Sequence, residues 1–241
     1  MDKIVNLTLL VIIAVCAWSG YKKGIVMGIG GIIVIVVSLY GANLLSNTFS
    51  YEVIPVLRPF VSGYMETQLR ASVYLRLGID PEVGSNYPLD ELLATNPTII
   101  HGVVSNSVRS LGIYANTADA IAQESEKYAS DNDVSYHDAL GEVMCVKISY
   151  AGGFIIGFLL ILITLTVIGN LPNFSYELPE FDIVNNIVGT ALGVITGLMF
   201  CFVTVWILKF AGKLIGENTL HSAGIASWLV RIDLVARFTG I

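Results

Sequence analysis

Four long stretches of this chain carry no charged side chain, and they constrain the fold more than any other feature. They run from Ile4 to Tyr21, from Gly24 to Tyr51, from Ile148 to Tyr176 and from Ile183 to Leu208. An α-helix rises roughly 1.5 Å per residue, so about 20 residues cross the ~30 Å hydrocarbon layer of a bilayer. Each stretch therefore predicts one membrane-spanning helix.

The overall composition agrees with a membrane location. Hydrophobic residues make up 54% of the chain and charged residues only 13%, whereas a typical soluble domain has about 25% charged residues. The net charge of −6 does not favour nucleic-acid binding, which needs basic surfaces. We therefore expect the lipid bilayer to be the main partner and a cell membrane to be the location.

The uncharged stretches predict helices rather than strands. A helix satisfies its own backbone N–H and C=O groups in lipid, and the stretches are continuous rather than alternating as in a β-barrel. Only Tyr21-Lys22-Lys23 separates the first stretch from the second, which predicts a retained helical hairpin instead of a cleaved signal peptide. The expected fold is an all-α polytopic membrane protein with four transmembrane helices.

The same pattern divides the chain into four regions. These are a first transmembrane hairpin (1–46), an acidic extramembrane helical insert (47–147), a second transmembrane hairpin (148–208) and a C-terminal amphipathic segment (209–241). The insert has thirteen acidic and six basic residues, as a water-exposed unit would have.

Within the insert, Pro55 and Pro59 indicate where the second span gives way to it. Residues 78–88 predict a loop, a short helix begins near Asp90, and residues 105–130 predict one helix. In the C-terminal segment, Ile225, Trp228, Leu229, Ile232, Val235 and Ala236 recur at helical spacing. This spacing predicts a helix that lies in the membrane interface or else caps the bundle.

Glycines repeat every four residues in three of the predicted spans. Such stripes let helix backbones approach closely, within one chain or between two copies of it. A third interpretation is a pore lined by Thr190, Thr196 and the glycine stripe of the last span. The predicted helix-packing residues are Gly24, Gly28, Gly153, Gly157, Gly189, Gly193 and Gly197.

The short turn between the first two spans predicts the orientation. Its residues are Gly20, Lys22, Lys23 and Gly24, and basic short loops stay in the cytoplasm. The N-terminus and the insert would then lie outside. The connection between the last two spans, which contains Glu177 and Glu180, would be inside, whereas Lys209 and Lys213 would lie outside, against the rule.

Two segments resemble the colicin V production protein (CvpA) family. The start reads Asp2, an apolar helix, Gly20-Tyr21-Lys22-Lys23-Gly24 and a second apolar helix, and the family turns its first hairpin on a Gly-aromatic-basic-basic-Gly motif. The last span, Asn186–Gly197, is similar to the family's glycine-repeat helix. The resemblance covers residues 1–45 and 148–210. It implies a non-enzymatic bacterial inner-membrane protein with a role in toxin production and export or in envelope homeostasis.

No pattern in the chain predicts a catalytic, cofactor-binding or metal-binding residue. Cys16, Cys145 and Cys201 form no CxxC pair, and His101 and His137 stand apart from other ligands. The alternative function is a small channel or transporter subunit, in which a continuous polar path would replace a packed apolar interior. The partner would be a second copy of the chain or an export or envelope protein.

Overall fold

The computed structural model describes residues 2–85, 87–170, 182–209 and 224–239, which form helices joined by short turns and contain no strand. The all-α fold class is confirmed for these residues. The helices are α1 (Asp2–Leu77), α2 (Pro81–Gly84), α3 (Leu89–Thr95), a 3-10 turn (Pro97–Ile99), α4 (Ile100–Arg109), α5 (Ala115–Asn132), α6 (Tyr136–Asn170), α7 (Asp182–Lys209), α8 (Gly224–Ile232) and α9 (Leu234–Thr239).

Three of these helices, α1, α6 and α7, are long and apolar enough to cross a membrane. Their outward-facing side chains are apolar as well: Leu7 is 61% exposed, Ile156 67% and Ile187 63%. Apolar surface of this extent is rare on soluble monomers, whereas lipid solvates it directly. The helices thus have the surface of a membrane protein.

Helix α1 is longer than the sequence predicts, and it does not end at Pro55 or Pro59. Both prolines lie inside α1, which also contains the first two uncharged stretches and continues to Leu77. A proline removes one backbone donor, which leaves the carbonyl four residues earlier without its helical partner. For Pro55 that carbonyl belongs to Tyr51, an exposed residue, so the helix can continue through it. The predicted third span is likewise part of a longer helix, α6.

The described residues form two compact units. The apolar unit comprises residues 2–46, 153–170, 182–209 and 224–239, and the central unit comprises residues 47–152. The boundaries fall inside α1, after Ser46, and inside α6, after Gly152. The predicted connection between the last two spans, and Lys213, lie outside the described residues.

In the apolar unit, α1 reverses direction at Gly24, the one residue of the helix with non-helical dihedral angles. We call residues 2–23 the first arm and residues 25–46 the second arm. A Cβ atom at Gly197 would lie 2.9 Å from Ile13 Cα and one at Gly193 3.0 Å from Ala17 Cα, so the first arm is antiparallel to α7. Along the second arm, Gly28 faces Leu192 and Gly31 faces Thr196. The second arm is therefore parallel to α7.

Helices α6, α8 and α9 complete the apolar unit. Gly157 of α6 faces Ala42 of the second arm, and the Phe154 ring meets the Trp206 ring of α7 at 5.0 Å between centroids. Lys209, at the end of α7, is buried and pairs with Asp233. The described part of the C-terminal segment packs on the apolar unit, and its apolar residues Ala226, Leu229 and Val235 are buried.

The central unit has a buried apolar core of its own. Leu69, Val104, Ile121 and Leu140 come from α1, α4, α5 and α6, and each is at most 2% exposed. Ion pairs lie at its surface: the Lys147 ammonium is 2.8 Å from Glu124, and the Arg58 guanidinium is 2.6 Å from Glu142. The core of this unit is apolar, and these charged residues are not part of it.

Three local expectations are wrong in detail. Residues 105–130 do not form one helix, because Gly112 adopts φ +86° between α4 and α5. The predicted loop 78–88 contains the short helix α2. Asp80 caps the N-terminus of α2, because its side chain accepts a hydrogen bond from the Glu82 N–H. The C-terminal helix is broken at Asp233, which has φ +45° and turns its carboxylate to Lys209.

Candidate functional site

The turn at Gly24 is closed by a residue from the far end of the chain. Gly24 has φ 70° and ψ −167°, a combination that is essentially restricted to glycine. The next residue, Ile25, donates its backbone N–H to Asn185 Oδ1 at 2.9 Å. Asn185 is buried in the first turn of α7, and it satisfies one of the donors that a helix start leaves unpaired.

The other turn residues place positive charge and aromatic rings beside Gly24. Lys22 and Lys23 are exposed, and the Lys22 ammonium lies 5.3 Å from the centre of the Trp18 ring. Trp18 also stacks on Tyr21, with 6.1 Å between ring centroids. Tryptophan, tyrosine and lysine are typical anchors at the level of the lipid headgroups.

The glycine stripe of α7 faces the first arm within the same chain. Gly189, Gly193 and Gly197 are buried. A side chain at Gly20 or Gly193 would overlap backbone atoms of the facing helix, since the Cβ of each would lie 3.0 Å or less from three of them. The described contacts of the stripe therefore account for the glycines by packing inside one chain.

The remaining glycines of the prediction contact other helices. Gly24 is next to Asn185 and Gly28 is next to Leu192, while Gly153 and Gly157 approach the second arm at Ser46 and Ala42. The contacts at Gly153 and Gly157 are looser, with nearest atoms 3.2 and 3.4 Å from a Cβ position. The tightest packing thus lies between the first arm and α7.

A cavity of about 310 Å³ lies between the two arms, α6 and α7. It extends from Lys23, near the turn, to Ile35 and Phe200, a distance of about 18 Å along a helix. Its polar groups are few, and the Thr196 hydroxyl donates to the Leu192 carbonyl of its own helix. Its lining also includes Cys16, Ser19, Gly20, Met27, Gly28, Gly30, Gly31, Val34, Leu162, Leu165, Thr166, Gly169 and Gly193.

Beyond Phe200 the interior of the apolar unit is filled by large apolar side chains. Leu9, Ile35, Phe154 and Trp206 are each at most 1% exposed. Cys201 is also buried, and its thiol is 3.6 Å from the Leu9 carbonyl oxygen. We call these five residues the apolar plug; of the five, Ile35 lines the cavity and the other four do not.

Sequence reasoning missed Asn185 and the cavity. For Asn185 the available sequence signal was its position, an asparagine at the start of an apolar stretch, because a buried amide needs a hydrogen-bond partner. The cavity had no sequence signal of its own, since four separate segments line it. Thr190, proposed for a pore, is absent from the described lining, and its hydroxyl donates to the Asn186 carbonyl.

The two described histidines each have an acidic neighbour in the central unit. His101 Nδ1 lies 2.7 Å from Glu126, and His137 Nδ1 lies 3.0 Å from Asp90. In the described part of the chain, no three His, Cys, Asp or Glu side chains come together as metal ligands would. The histidine contacts are those of surface pairs, which contribute little to stability.

Comparison with protein families, with curated proteins and with solved structures finds no match for this chain.

Proposed function

We propose that the protein is a non-enzymatic, multi-pass protein of the bacterial inner membrane that holds or gates partner proteins in toxin export or envelope homeostasis. The resemblance of residues 1–45 and 148–210 to the colicin V production family suggests this role. The structural support is the apolar plug of Leu9, Ile35, Phe154, Cys201 and Trp206, because a packed interior suits a scaffold better than a conduit.

The proposed topology has four spans, with the two arms of α1 as the first two. The reversal at Gly24 supports it, because each arm runs along α7 and together they form a hairpin. The central unit, with its own buried apolar core, would lie outside the bilayer. Lys22 and Lys23 would face the cytoplasm.

Cysteine labelling tests the orientation. In a Cys145→Ala background, Gln123→Cys places a thiol on the exposed side of α5, and we expect an impermeant maleimide to label it in intact spheroplasts. Tyr21→Cys, at the exposed turn, is the matched position on the other side and should react only after lysis. The reverse pattern would invert the topology.

The scaffold role predicts that the purified protein does not couple solute movement to protons. A charge that crosses a bilayer needs polar groups at depth to replace its hydration, and the plug supplies apolar side chains there. In liposomes with an internal pH-sensitive dye, sodium and potassium gradients should give the same dye signal with and without the protein. Protein-dependent acidification would contradict the scaffold proposal.

The cavity favours a second candidate, a small channel or transporter subunit. It already extends from the turn to Phe200, so a shift of the plug would lengthen it. Replacing Phe200 by alanine removes one wall of its closed end. If the wild-type protein conducts ions in planar bilayers and Phe200→Ala raises the conductance, the protein is a channel and the scaffold proposal is wrong.

A further inference from the structure

We infer that the cavity between the two arms, α6 and α7 binds one acyl chain of an anionic phospholipid, whose phosphate pairs with Lys23. The inference rests on the proposed four-span placement, but it does not depend on any partner protein. It makes the bundle a site for a specific bilayer lipid.

The lining fits a hydrocarbon chain. Met27, Val34, Leu162 and Leu165 supply apolar walls, and the volume of about 310 Å³ falls at the lower end of ligand pockets. A chain that enters this space replaces unfilled volume by dispersion contacts.

Glycines on the second arm keep the space open. A Cβ at Gly30 would have no atom within 4 Å, and one at Gly31 would only reach ordinary contact with Thr196. Gly169, on α6, has the same free space as Gly30. Side chains at these positions would occupy the volume that we assign to the lipid.

The charge at one end selects the headgroup. Lys23 lines the cavity beside the turn, and Lys22 is its neighbour in sequence. In the proposed topology this turn lies at the membrane surface, the depth of a phospholipid phosphate. Lysines near a membrane surface attract anionic lipids.

A second cavity shows why the charge matters. It has a volume of about 350 Å³ and its described lining is uncharged: Val36, Leu39, Tyr40, Met199, Phe202, Leu234 and Val235. An acyl chain could lie there as well, but nothing in that lining would distinguish an anionic from a zwitterionic lipid. We therefore assign the headgroup preference to the cavity at Lys23.

Photocrosslinking in vesicles tests the inference. The protein is reconstituted in phosphatidylcholine vesicles that contain a small fraction of phosphatidylglycerol with a diazirine on one acyl chain. After illumination, mass spectrometry should find the lipid on cavity residues such as Met27 and Leu165. The same diazirine on phosphatidylcholine should label them about five-fold less, the ratio expected for one lysine near the surface.

Two cavity-filling variants and one charge variant sharpen the test. Gly30→Leu and Gly169→Leu should each remove most of the crosslinking at Met27, because the leucine side chain would occupy part of the cavity, and the second keeps the test decisive if the first does not fold. Lys23→Gln should remove the preference for phosphatidylglycerol and leave the phosphatidylcholine signal unchanged. Gly152→Leu, at an exposed helical position with no atom within 4 Å of a Cβ, should behave as wild type.

Each other outcome overturns the inference. Crosslinks confined to outward-facing residues such as Ile33 and Ile156 would show that the protein is in the membrane but that no lipid acyl chain enters the cavity. Unchanged labelling of Met27 in both leucine variants would also show that the lipid does not occupy the cavity. An equal signal from the two lipids in the wild-type protein would refute the role of Lys23. Failure of the scaffold proposal would instead appear as protein-dependent acidification, with the crosslinks intact.

Discussion

Replacing Gly193 by leucine should lower the free energy of unfolding of the detergent-purified protein by about 3 kcal/mol, the upper part of the usual range for overpacking. A Cβ at this position would lie 3.0 Å from Ala17 Cα and 3.0 Å from the Cys16 carbonyl carbon. Both are backbone atoms of the first arm, so no side-chain rotation relieves the overlap. The first arm must move away from α7, and their close contacts along the stripe are lost.

Thermal unfolding followed by circular dichroism measures this effect. Gly30→Leu is the matched control, because it puts the same side chain on the second arm, where a Cβ has no atom within 4 Å. We expect Gly30→Leu to unfold near the wild-type temperature and Gly193→Leu well below it. Equal unfolding temperatures for the two variants would disprove the close contact between the first arm and α7.

Replacing Asn185 by alanine should also destabilise the protein, by about 1–3 kcal/mol, the range for a buried donor that loses its partner. The Ile25 N–H would lose the Oδ1 acceptor that it has at 2.9 Å, and the start of the second arm offers it no helical carbonyl. Gly24→Ala should have a similar effect for a different reason. Its φ of 70° strains any residue with a Cβ, and that Cβ would lie 2.8 Å from Asn185 Cγ.

Asn186→Ala provides the control for the amide. It removes the same side chain one residue later, where the structure shows the backbone carbonyl as the acceptor for Thr190. Urea unfolding in mild detergent should separate the variants, with Asn186→Ala close to the wild type. If Asn185→Ala and Asn186→Ala have equal midpoints, the hydrogen bond to Ile25 does not hold the turn.

The sequence predicts the apolar elements of this fold well because the physics behind them is local. A run without charges indicates an apolar environment, and α1 and α7 contain three of the runs while α6 contains the described part of the other, residues 148–170. Helix ends are less predictable, because an apolar helix can continue into a polar stretch of sequence. Pro55 and Pro59 are typical breakers in sequence, yet they lie within α1.

The candidate site was predictable only in part, for a related reason. Spacing identifies Gly189, Gly193 and Gly197 as one face of a helix, but it does not say which helix they meet. Asn185 acquires its role from Ile25, 160 residues away, and the cavity depends on how residues 162–169 of α6 approach the two arms. Such long-range relations have no periodicity to detect.

The bond between Ile25 and Asn185 also sets an order of events during synthesis. Residues 25 and 185 are 160 residues apart, so chain growth at roughly 5–20 residues per second leaves the turn without Asn185 for roughly 8–32 s. In that interval the Ile25 N–H must find water or a lipid headgroup, because an unpaired donor in hydrocarbon is costly. At the membrane surface, where the proposed topology places the turn, either can fill that place until α7 is made, and a chain that stops before Asn185 would have no side chain to complete the turn.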